Sequence, residues 1–323
     1  MTTWLPQLPL DPWIVIPLLF VLGLYIRGWE SLRRRRHGRI IVWNAVAFVS
    51  GMSTILVALA SPIDDLAGLL LQVHMTQHLL LMMVAPPLIW LSLPIAPMLR
   101  GLPRSIATVV VRLVFRRGFR RVGRIVGHPV ATWGVFMACL WAWHTPALYE
   151  LALRSHAWHH VEHACFVGAG LLFWWPVIQP WASHPIWPRW TMIPYLALAD
   201  LQNTALAAIL TFADRVIYPT YNAVPRLWGI SALEDQATAG VIMWIPGSIA
   251  FLIPLSWLVA RQLAPRRAHR SGESLHDVRL EILNGTHEAE GRPCKRDPSR
   301  HWPSAPFAFV IRTRRCASSH SSC

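Results

Sequence analysis

Charged residues are scarce in this chain. Asp, Glu, Lys and Arg together make up 14% of the sequence, whereas hydrophobic residues make up 54% and tryptophan occurs 18 times. A soluble domain carries about 25% charged residues. The scarcity excludes an ordinary soluble domain and is typical of a protein that crosses a membrane several times.

Lysine is nearly absent, and the cysteines show no paired motif. Lys295 is the single lysine, and the five cysteines form no C-x-x-C pair. Three of those cysteines lie in the C-terminal tail, which we expect to face the cytoplasm and therefore to contain no disulfide.

Seven long apolar runs are present instead, each long enough to cross about 30 Å of hydrocarbon. They predict an all-α fold, a polytopic membrane bundle of about seven transmembrane helices in residues 1–270. We expect Pro86-Pro87 and Pro246 to kink the third and seventh spans. The polar segment 271–323 has no periodicity and is predicted to be a disordered cytoplasmic tail. The predicted spans are Trp13–Tyr25, Ile41–Ala60, Leu66–Leu93, Pro129–Leu148, His160–Trp181, Met192–Ala213 and Ala237–Val259.

The arginines indicate how the chain crosses the membrane. Six lie at positions 27–39, eight at positions 100–124 and four at positions 261–270, whereas the opposite connections hold three. This positive-inside pattern predicts an N-terminus outside and a C-terminus in the cytoplasm. The net charge of +14 is thus distributed for contact with anionic lipid at the cytoplasmic face, not for binding nucleic acid.

The third span carries two histidines one helical turn apart, His74 and His78. Measured from Leu66, they lie about 12 Å and 18 Å below the outer end of the span. Ionisable groups at that depth usually face a bundle interior and act there, and two imidazoles on one helix face can bind a metal ion. The alternative is that they join helices by hydrogen bonds.

More histidines lie at the same level, at the outer end of the fourth span and the start of the fifth. Among those of the fifth span, either the pair His159/His163 or the pair His160/His163 faces inward, and the spacing does not choose between them. Acidic residues share this layer, and two of them, Glu234 and Asp235, could attract a cation. The residues of this layer are His144, His156, His159, His160, His163, Glu150, Glu162, Glu234 and Asp235.

The identity of a bound metal stays open at this point. Met82 follows His78 on a similar face, and a thioether would favour copper, although methionine also fills cores. A zinc protease needs a glutamate directly after its first histidine, and the chain has Met75 there. A haem held by histidines from two helices, such as His74 and His163, is a further alternative. Asp200, in the sixth span, and Gln236 are candidates for a polar interior.

Several of these motifs resemble one family in matching order. The segments SPIDD, VHMTQHLLLMMVAPP, WHTPALYELAL, HHVEH, LFWWPV, FADRVIYPTY and ALEDQATAGVIMWIPG are similar to the multi-span CtaG family of cytochrome c oxidase assembly factors, associated with caa-type oxidases. The resemblance covers roughly Trp13–Val259. It implies a bacterial plasma-membrane protein, oxidase subunits as partners and a connection to copper.

The resemblance also implies which residues act. It places His74, His78, His144, His160 and His163 in the family's histidine motifs, and Glu234, Asp235 and Gln236 in its Glu-Asp-Gln motif. We therefore predict a non-enzymatic assembly factor that holds or delivers copper through an outward-facing histidine cluster. A haem-binding oxidoreductase, a zinc hydrolase and a metal-free scaffold are the alternatives.

Overall fold

A computed structural model describes residues 11–34, 40–179 and 187–264. Within these ranges every regular element is a helix, which confirms the all-α prediction. The predicted tail 271–323 and the domain boundary at residue 270 lie outside the described residues.

Fourteen α-helices are described in these three ranges. In chain order they are α1 Pro12–Arg33, α2 Ile40–Leu59, α3 Pro62–Ala67, α4 Leu71–Leu79, α5 Ala85–Leu91, α6 Ile95–Gly101, α7 Arg104–Phe115, α8 Arg117–Val126, α9 Pro129–Trp143, α10 Pro146–Arg154, α11 His156–Ile178, α12 Met192–Phe212, α13 Thr220–Ala223 and α14 Ala232–Leu263. A π-helical turn, Leu80–Val84, joins α4 to α5, and a 3₁₀ turn, Arg189–Thr191, precedes α12.

The described helices provide five to seven membrane spans, as the sequence predicts. Five are single helices that are long and apolar enough: α1, α2, α11, α12 with its preceding turn, and α14. Two more arise if bent pairs each count as one span: Leu71–Leu91 with α6, bent by 74°, and α8 with α9, bent by 60°. The orientation of the bundle stays a prediction.

The third span differs from its predicted course. The sequence predicts one helix over Leu66–Leu93, but α3 ends at Ala67 and α4 begins only at Leu71. His74 and His78 are therefore about 4.5 Å and 10.5 Å from the start of their helix, closer than predicted. The fourth span is also shorter than predicted, because α9 ends at Trp143 and Pro146 begins a new helix.

The two prolines of the third span, Pro86 and Pro87, lie just after the π-helical turn Leu80–Val84. Pro86 and Pro87 have no N–H to offer the carbonyls of Met82 and Met83, four residues earlier. The chain answers with a wider turn, in which the Ala85 N–H donates to the Leu80 carbonyl. The Met82 carbonyl accepts from the Trp174 indole at 2.9 Å instead. The sharp bend falls later, at residues 92–94, and α14 continues as one helix through Pro246.

Helix contacts of unusual closeness hold the first and third spans together. A Cβ built on Gly28 would lie 1.8 Å from the Pro97 carbonyl oxygen, and one on Gly101 would lie 1.9 Å from that of Leu24. No side chain fits at either position, so α1 and α6 touch through their backbones. This contact fixes the bent end of the third span against α1.

Helices α7 and α8 stand apart from this packing. No residue of α7 is buried, and apolar residues such as Val109, Phe115 and Ile125 are exposed beside the arginines of the third connection. Exposed apolar and cationic side chains on short helices are typical of helices that lie in the membrane interface. This exposure pattern is in keeping with the predicted contact with anionic lipid, which stays a prediction.

Candidate metal site near one end of the bundle

The start of α4, the helix that carries His74 and His78, is hydrogen-bonded to a side chain from a helix far away in sequence. The Asp235 carboxylate of α14 accepts hydrogen bonds from the backbone N–H of Leu71 at 2.7 Å and of Gln72 at 3.1 Å. The first amides of a helix lack partners within the helix, and a carboxylate there also complements the helix dipole. Asp235 thus sets where α4 starts and so the position of His74, one turn further on.

Two histidines and a carboxylate meet directly below this helix start. The Nε2 atoms of His74 and His78 lie 3.7 Å and 3.6 Å from the two carboxylate oxygens of Glu162, which projects from α11. With His163, the next residue of α11, they form a group in which one ligand atom from each residue lies within 4.8 Å of all the others. We call these four residues the inner cluster.

The inner cluster is closed to solvent. His74 and Glu162 are 0% exposed, His163 is 3% exposed and His78 is 4% exposed. The Phe166 ring packs 4.3 Å from that of His78, and the Tyr149 ring lies 5.0 Å from that of His74. The aromatic walls exclude water, so any charge inside must be balanced by the cluster itself.

Two further histidines border the inner cluster. The His144 ring, at the end of α9, lies 6.1 Å from the His78 ring. The His159 ring lies 5.2 Å from His74 and 4.1 Å from His163. Of the two α11 pairs that the sequence leaves open, the structure turns His159 and His163 inward.

A tyrosine network orients His74. The Tyr221 hydroxyl donates to the Ala67 carbonyl at 2.9 Å, so it accepts at its oxygen from His74 Nδ1, 3.3 Å away. Tyr149 adds a hydroxyl contact of 3.2 Å to Tyr221. We assign the His74 proton to Nδ1 from this arrangement, which leaves Nε2 without a proton at 3.7 Å from Glu162 Oε2. Hydrogen bonds to the remote nitrogen commonly fix metal-binding histidines in this way.

His144 is oriented by its own helix and by a third tyrosine, Tyr218. Its Nδ1 donates to the Leu140 carbonyl at 2.7 Å, and its backbone carbonyl accepts from the Tyr218 hydroxyl at 2.9 Å. The Nε2 atom is again the nitrogen left free. His144 therefore borders the inner cluster with a free Nε2 but is not a member of it, and its role as a ligand stays a prediction.

Many of these buried atoms have no hydrogen-bond partner among the described residues. Native structures pair nearly all buried polar side-chain atoms, yet here a whole group stays unpaired. Its separations of 3.6 and 3.7 Å exceed hydrogen-bond length and approach the ~3.3 Å between neighbouring ligands of a tetrahedral ion. The unpaired atoms are His74 Nε2, His78 Nδ1 and Nε2, His144 Nε2, His159 Nε2, His163 Nε2 and both Glu162 oxygens.

His160 lies apart from the inner cluster. Its Nε2 is 3.5 Å from Asp11 Oδ2 at the start of α1, and its ring contacts that of His156 at 4.2 Å. Asp11, His156 and His160 form a separate group, of three residues, that could hold a metal. That His160 is a metal ligand stays a prediction, but the metal would lie between Asp11 and His156 and not in the inner cluster.

The residues of the Glu-Asp-Gln motif make structural contacts. Glu234 closes a capping box with Ser231 at the start of α14, while Asp235 holds α4 as described above. The Gln236 side chain accepts from the Ile217 N–H at 2.7 Å and donates to the Arg215 carbonyl at 3.2 Å, which fastens the loop before α13. The prediction that the two acids attract a cation stays a prediction.

Asp200 and Met82 are not among the residues grouped at the inner cluster. Asp200 lies on α12 with one carboxylate oxygen buried and unpaired. The Met82 side chain belongs to the hydrophobic core, and its contact with α11 is made by its backbone. Among the described histidine, cysteine, aspartate and glutamate residues, the inner cluster therefore contains nitrogen and oxygen ligands and no thiolate.

Sequence reasoning placed Glu162 in the correct layer but did not select it as a ligand, and it gave Tyr221 no role. Glu162 precedes His163, and adjacent residues on a helix usually face different neighbours, so spacing alone gave no reason to choose both. Tyr221 lies within the FADRVIYPTY motif, which was the one signal that pointed to it.

A connection outside the spans supports the tyrosines. The Glu150 carboxylate of α10 accepts from the Thr220 N–H and from Arg154, each at 3.0 Å. Partial burial raises the pKa of Glu150, but the hydrogen bonds from Thr220 and the charge of Arg154 outweigh it, so the pKa lies below its ordinary value. The ionised carboxylate thus holds α13, and with it Tyr221, against α10.

Fold and site together define a multi-pass membrane protein with a histidine- and glutamate-lined interior near one end of the bundle. Residues 23–264 match the family described as cytochrome c oxidase caa3 assembly factor (Caa3_CtaG). The chain belongs to this family, as its motifs predicted.

The names of the curated relatives that match the chain describe no function. An uncharacterised protein of Mycobacterium bovis is 24% identical over 80% of this chain and 41% of its own length. An uncharacterised protein of Mycobacterium leprae is 24% identical over 77% of this chain and 38% of its own length. The chain thus spans about two fifths of the relatives that it matches. No solved structure matches the chain.

Proposed function

We propose that this protein assists the assembly of a haem–copper cytochrome c oxidase by holding copper in the inner cluster and passing it to an oxidase subunit. Family membership supports the assembly role. The observation that supports the copper role is the convergence of unpaired, buried ligand atoms from His74, His78, Glu162 and His163.

The chemistry of these ligands suits copper as a cargo. Imidazole binds copper well, and a carboxylate supplies one negative charge to a site that water cannot reach. Only three imidazoles and one carboxylate are grouped, without thiolate, so a tightly trapping soft-ligand site is not built. Exchangeable ligation is what a protein needs if it is to give the ion away.

A metal-free scaffold is less well supported. Histidines that join helices do so by hydrogen bonds to neighbouring helices, whereas the Nε2 atoms of His74, His78 and His163 make none in the described structure. A haem or a zinc hydrolase would need room for a macrocycle or a substrate beside the histidines. The inner cluster is at most 4% exposed and its rings pack against one another, which favours a bare ion.

Metal analysis of the purified full-length protein tests the proposal. The protein is reconstituted in lipid nanodiscs, incubated with copper, desalted and analysed for metal beside His74→Ala/His78→Ala. The wild type is expected to retain copper, and the double variant to bind it about 10–100-fold more weakly or worse.

The matched control is His128→Asn. His128 lies at the start of α9, outside all the groups described above, and asparagine can keep its hydrogen bond to the Val130 N–H. The control is expected to match the wild type. Equal copper in the wild type and the double variant would contradict a role of this pair in holding copper.

A further inference from the structure

The histidines of α11 form a stripe that leads from the surface to the inner cluster. His156, His159, His160 and His163 follow one another at i, i+3, i+4 and i+7, which places them on one helix face over about 10.5 Å. The His156 side chain is 73% exposed and that of His160 is 34% exposed, whereas His163 is buried. Exposure thus falls steadily along the stripe.

Three groups of potential ligands occupy this stripe in succession. The outermost consists of Asp11, His156 and His160, and we call it the outer histidine site. The next consists of Asp64, His159 and His163, and the last is the inner cluster, which shares His163 with the group before it.

We propose that the outer histidine site captures copper from solution and passes it along α11 to the inner cluster by exchange of ligands. The inference rests on the function proposed above and adds the place where the ion is taken up and the path it follows.

The geometry of the outer histidine site supports capture. His156 Nε2 and His160 Nε2 lie 3.9 Å and 3.5 Å from the same oxygen of Asp11, and the two imidazole rings are 4.2 Å apart. Two imidazoles and one carboxylate on one face are a common set for a transition metal that keeps open positions. Open positions and exposure let the ion arrive with other ligands still bound to it.

The other oxygen of Asp11 fixes the carboxylate in place. Asp11 Oδ1 accepts from the Trp13 N–H at 3.0 Å as the cap of α1. The outer histidine site therefore joins α1 to α11, although the two helices begin far apart in the chain. Its ligands are held by helix starts and not by a loose segment.

The middle group provides a step between the two sites. The Asp64 carboxylate is held by the Gln77 side chain at 2.7 Å, and the His159 ring contacts that of His163 at 4.1 Å. His159 Nε2 is buried and unpaired. In the proposed path the ion moves from His160 to His159, the neighbouring residue of α11, and next to His163, which is already a member of the inner cluster. No bond other than metal–ligand bonds is broken or made.

Loading kinetics test this path. The full-length protein in nanodiscs is mixed with limiting Cu²⁺ supplied as its glycine complex, and quenching of tryptophan fluorescence reports uptake while elemental analysis gives the copper retained at equilibrium. In His156→Ala/His160→Ala the inner cluster is expected to fill to the wild-type level at saturation but about tenfold or more slowly, since the local capture of the cation is lost. His128→Asn is expected to load as the wild type does.

A second pair of variants separates this inference from the proposed function. In His74→Ala/His78→Ala, weakly held copper is expected to remain and to be lost when His156→Ala/His160→Ala is added. Loading of His156→Ala/His160→Ala within twofold of the wild-type rate would overturn the capture role. Failure of the proposed function would give a different result. The wild type would then hold only the copper that His156→Ala/His160→Ala removes, and the inner cluster would bind none.

Discussion

Asp235→Ala tests how the histidine-bearing helix is started. In the structure the Asp235 carboxylate accepts from two backbone amides of α4, across 164 residues of sequence. Alanine removes both acceptors and leaves the first amides of α4 without partners. We expect the helix start to loosen and the protein to lose stability.

The size of the loss follows from the burial of the two amides. The bond from the Leu71 N–H is buried, so that donor carries the full cost of an unmet buried group, about 1–3 kcal/mol. The bond from the Gln72 N–H is only partly buried and water can replace part of it, which leaves about 1 kcal/mol. The expected loss is therefore about 2–4 kcal/mol in the free energy of unfolding.

Unfolding in mixed micelles with increasing SDS measures this loss, and copper retention is followed in the same preparations. Asp235→Asn keeps one acceptor oxygen and is expected to fall between the wild type and alanine. The matched control is Glu234→Ala, which removes an exposed capping carboxylate one residue away and is expected to cost clearly less. If Asp235→Ala were no more destabilising than Glu234→Ala, the role given to Asp235 in starting α4 would be wrong.

Three other substitutions test separate parts of the structure. Tyr221→Phe removes the oxygen that accepts from His74 Nδ1, and copper affinity measured by competition with a chelator is expected to fall about 10–100-fold; unchanged affinity would refute the orienting role. Gly28→Ala is expected to abolish accumulation of folded protein, because its Cβ would lie 1.8 Å from a carbonyl oxygen, whereas Gly23→Ala meets nothing within 4 Å and serves as control in fluorescence-detected gel filtration. The lowered pKa of Glu150 means that its contribution is present above the ordinary carboxyl value of 4.5 and is lost as pH falls below it. The protection factors of the α13 amides, which are corrected for the intrinsic pH dependence of exchange, should therefore fall as the pH drops below this value in the wild type, whereas Glu150→Gln should show the lower protection already at neutral pH; an identical profile in both would refute this role.

Composition and hydropathy were sufficient for the class of fold. Apolar runs long enough for a bilayer predict helices without knowledge of their packing, and the described helices confirm five to seven spans. The edges were less predictable. Hydropathy did not show that the third span begins at Leu71 and not Leu66, because the deciding contact is made by Asp235, far away in sequence.

The candidate site shows the same division. The i, i+4 spacing predicted that His74 and His78 share a face, and their rings indeed lie 4.4 Å apart. Which α11 residues meet them depends on the rotation of that helix about its axis, which spacing alone does not give. The structure turns His159, Glu162 and His163 toward the pair and directs His160 to Asp11.

The π-helical turn Leu80–Val84 divides the third span into two halves that differ in their rotation about the helix axis. An α-helix advances about 100° per residue, so the extra residue of the wider turn rotates everything beyond it by about that angle. The half before the turn can therefore present its histidines to α11, while Pro86 in the half after it packs against the same helix at Gly170. Removing a single residue from the turn would rotate one half against the other by about 100°, so only one of the two alignments could be kept. The wide turn thus lets a single transmembrane segment contact α11 twice, through its histidines before the turn and through Pro86 after it.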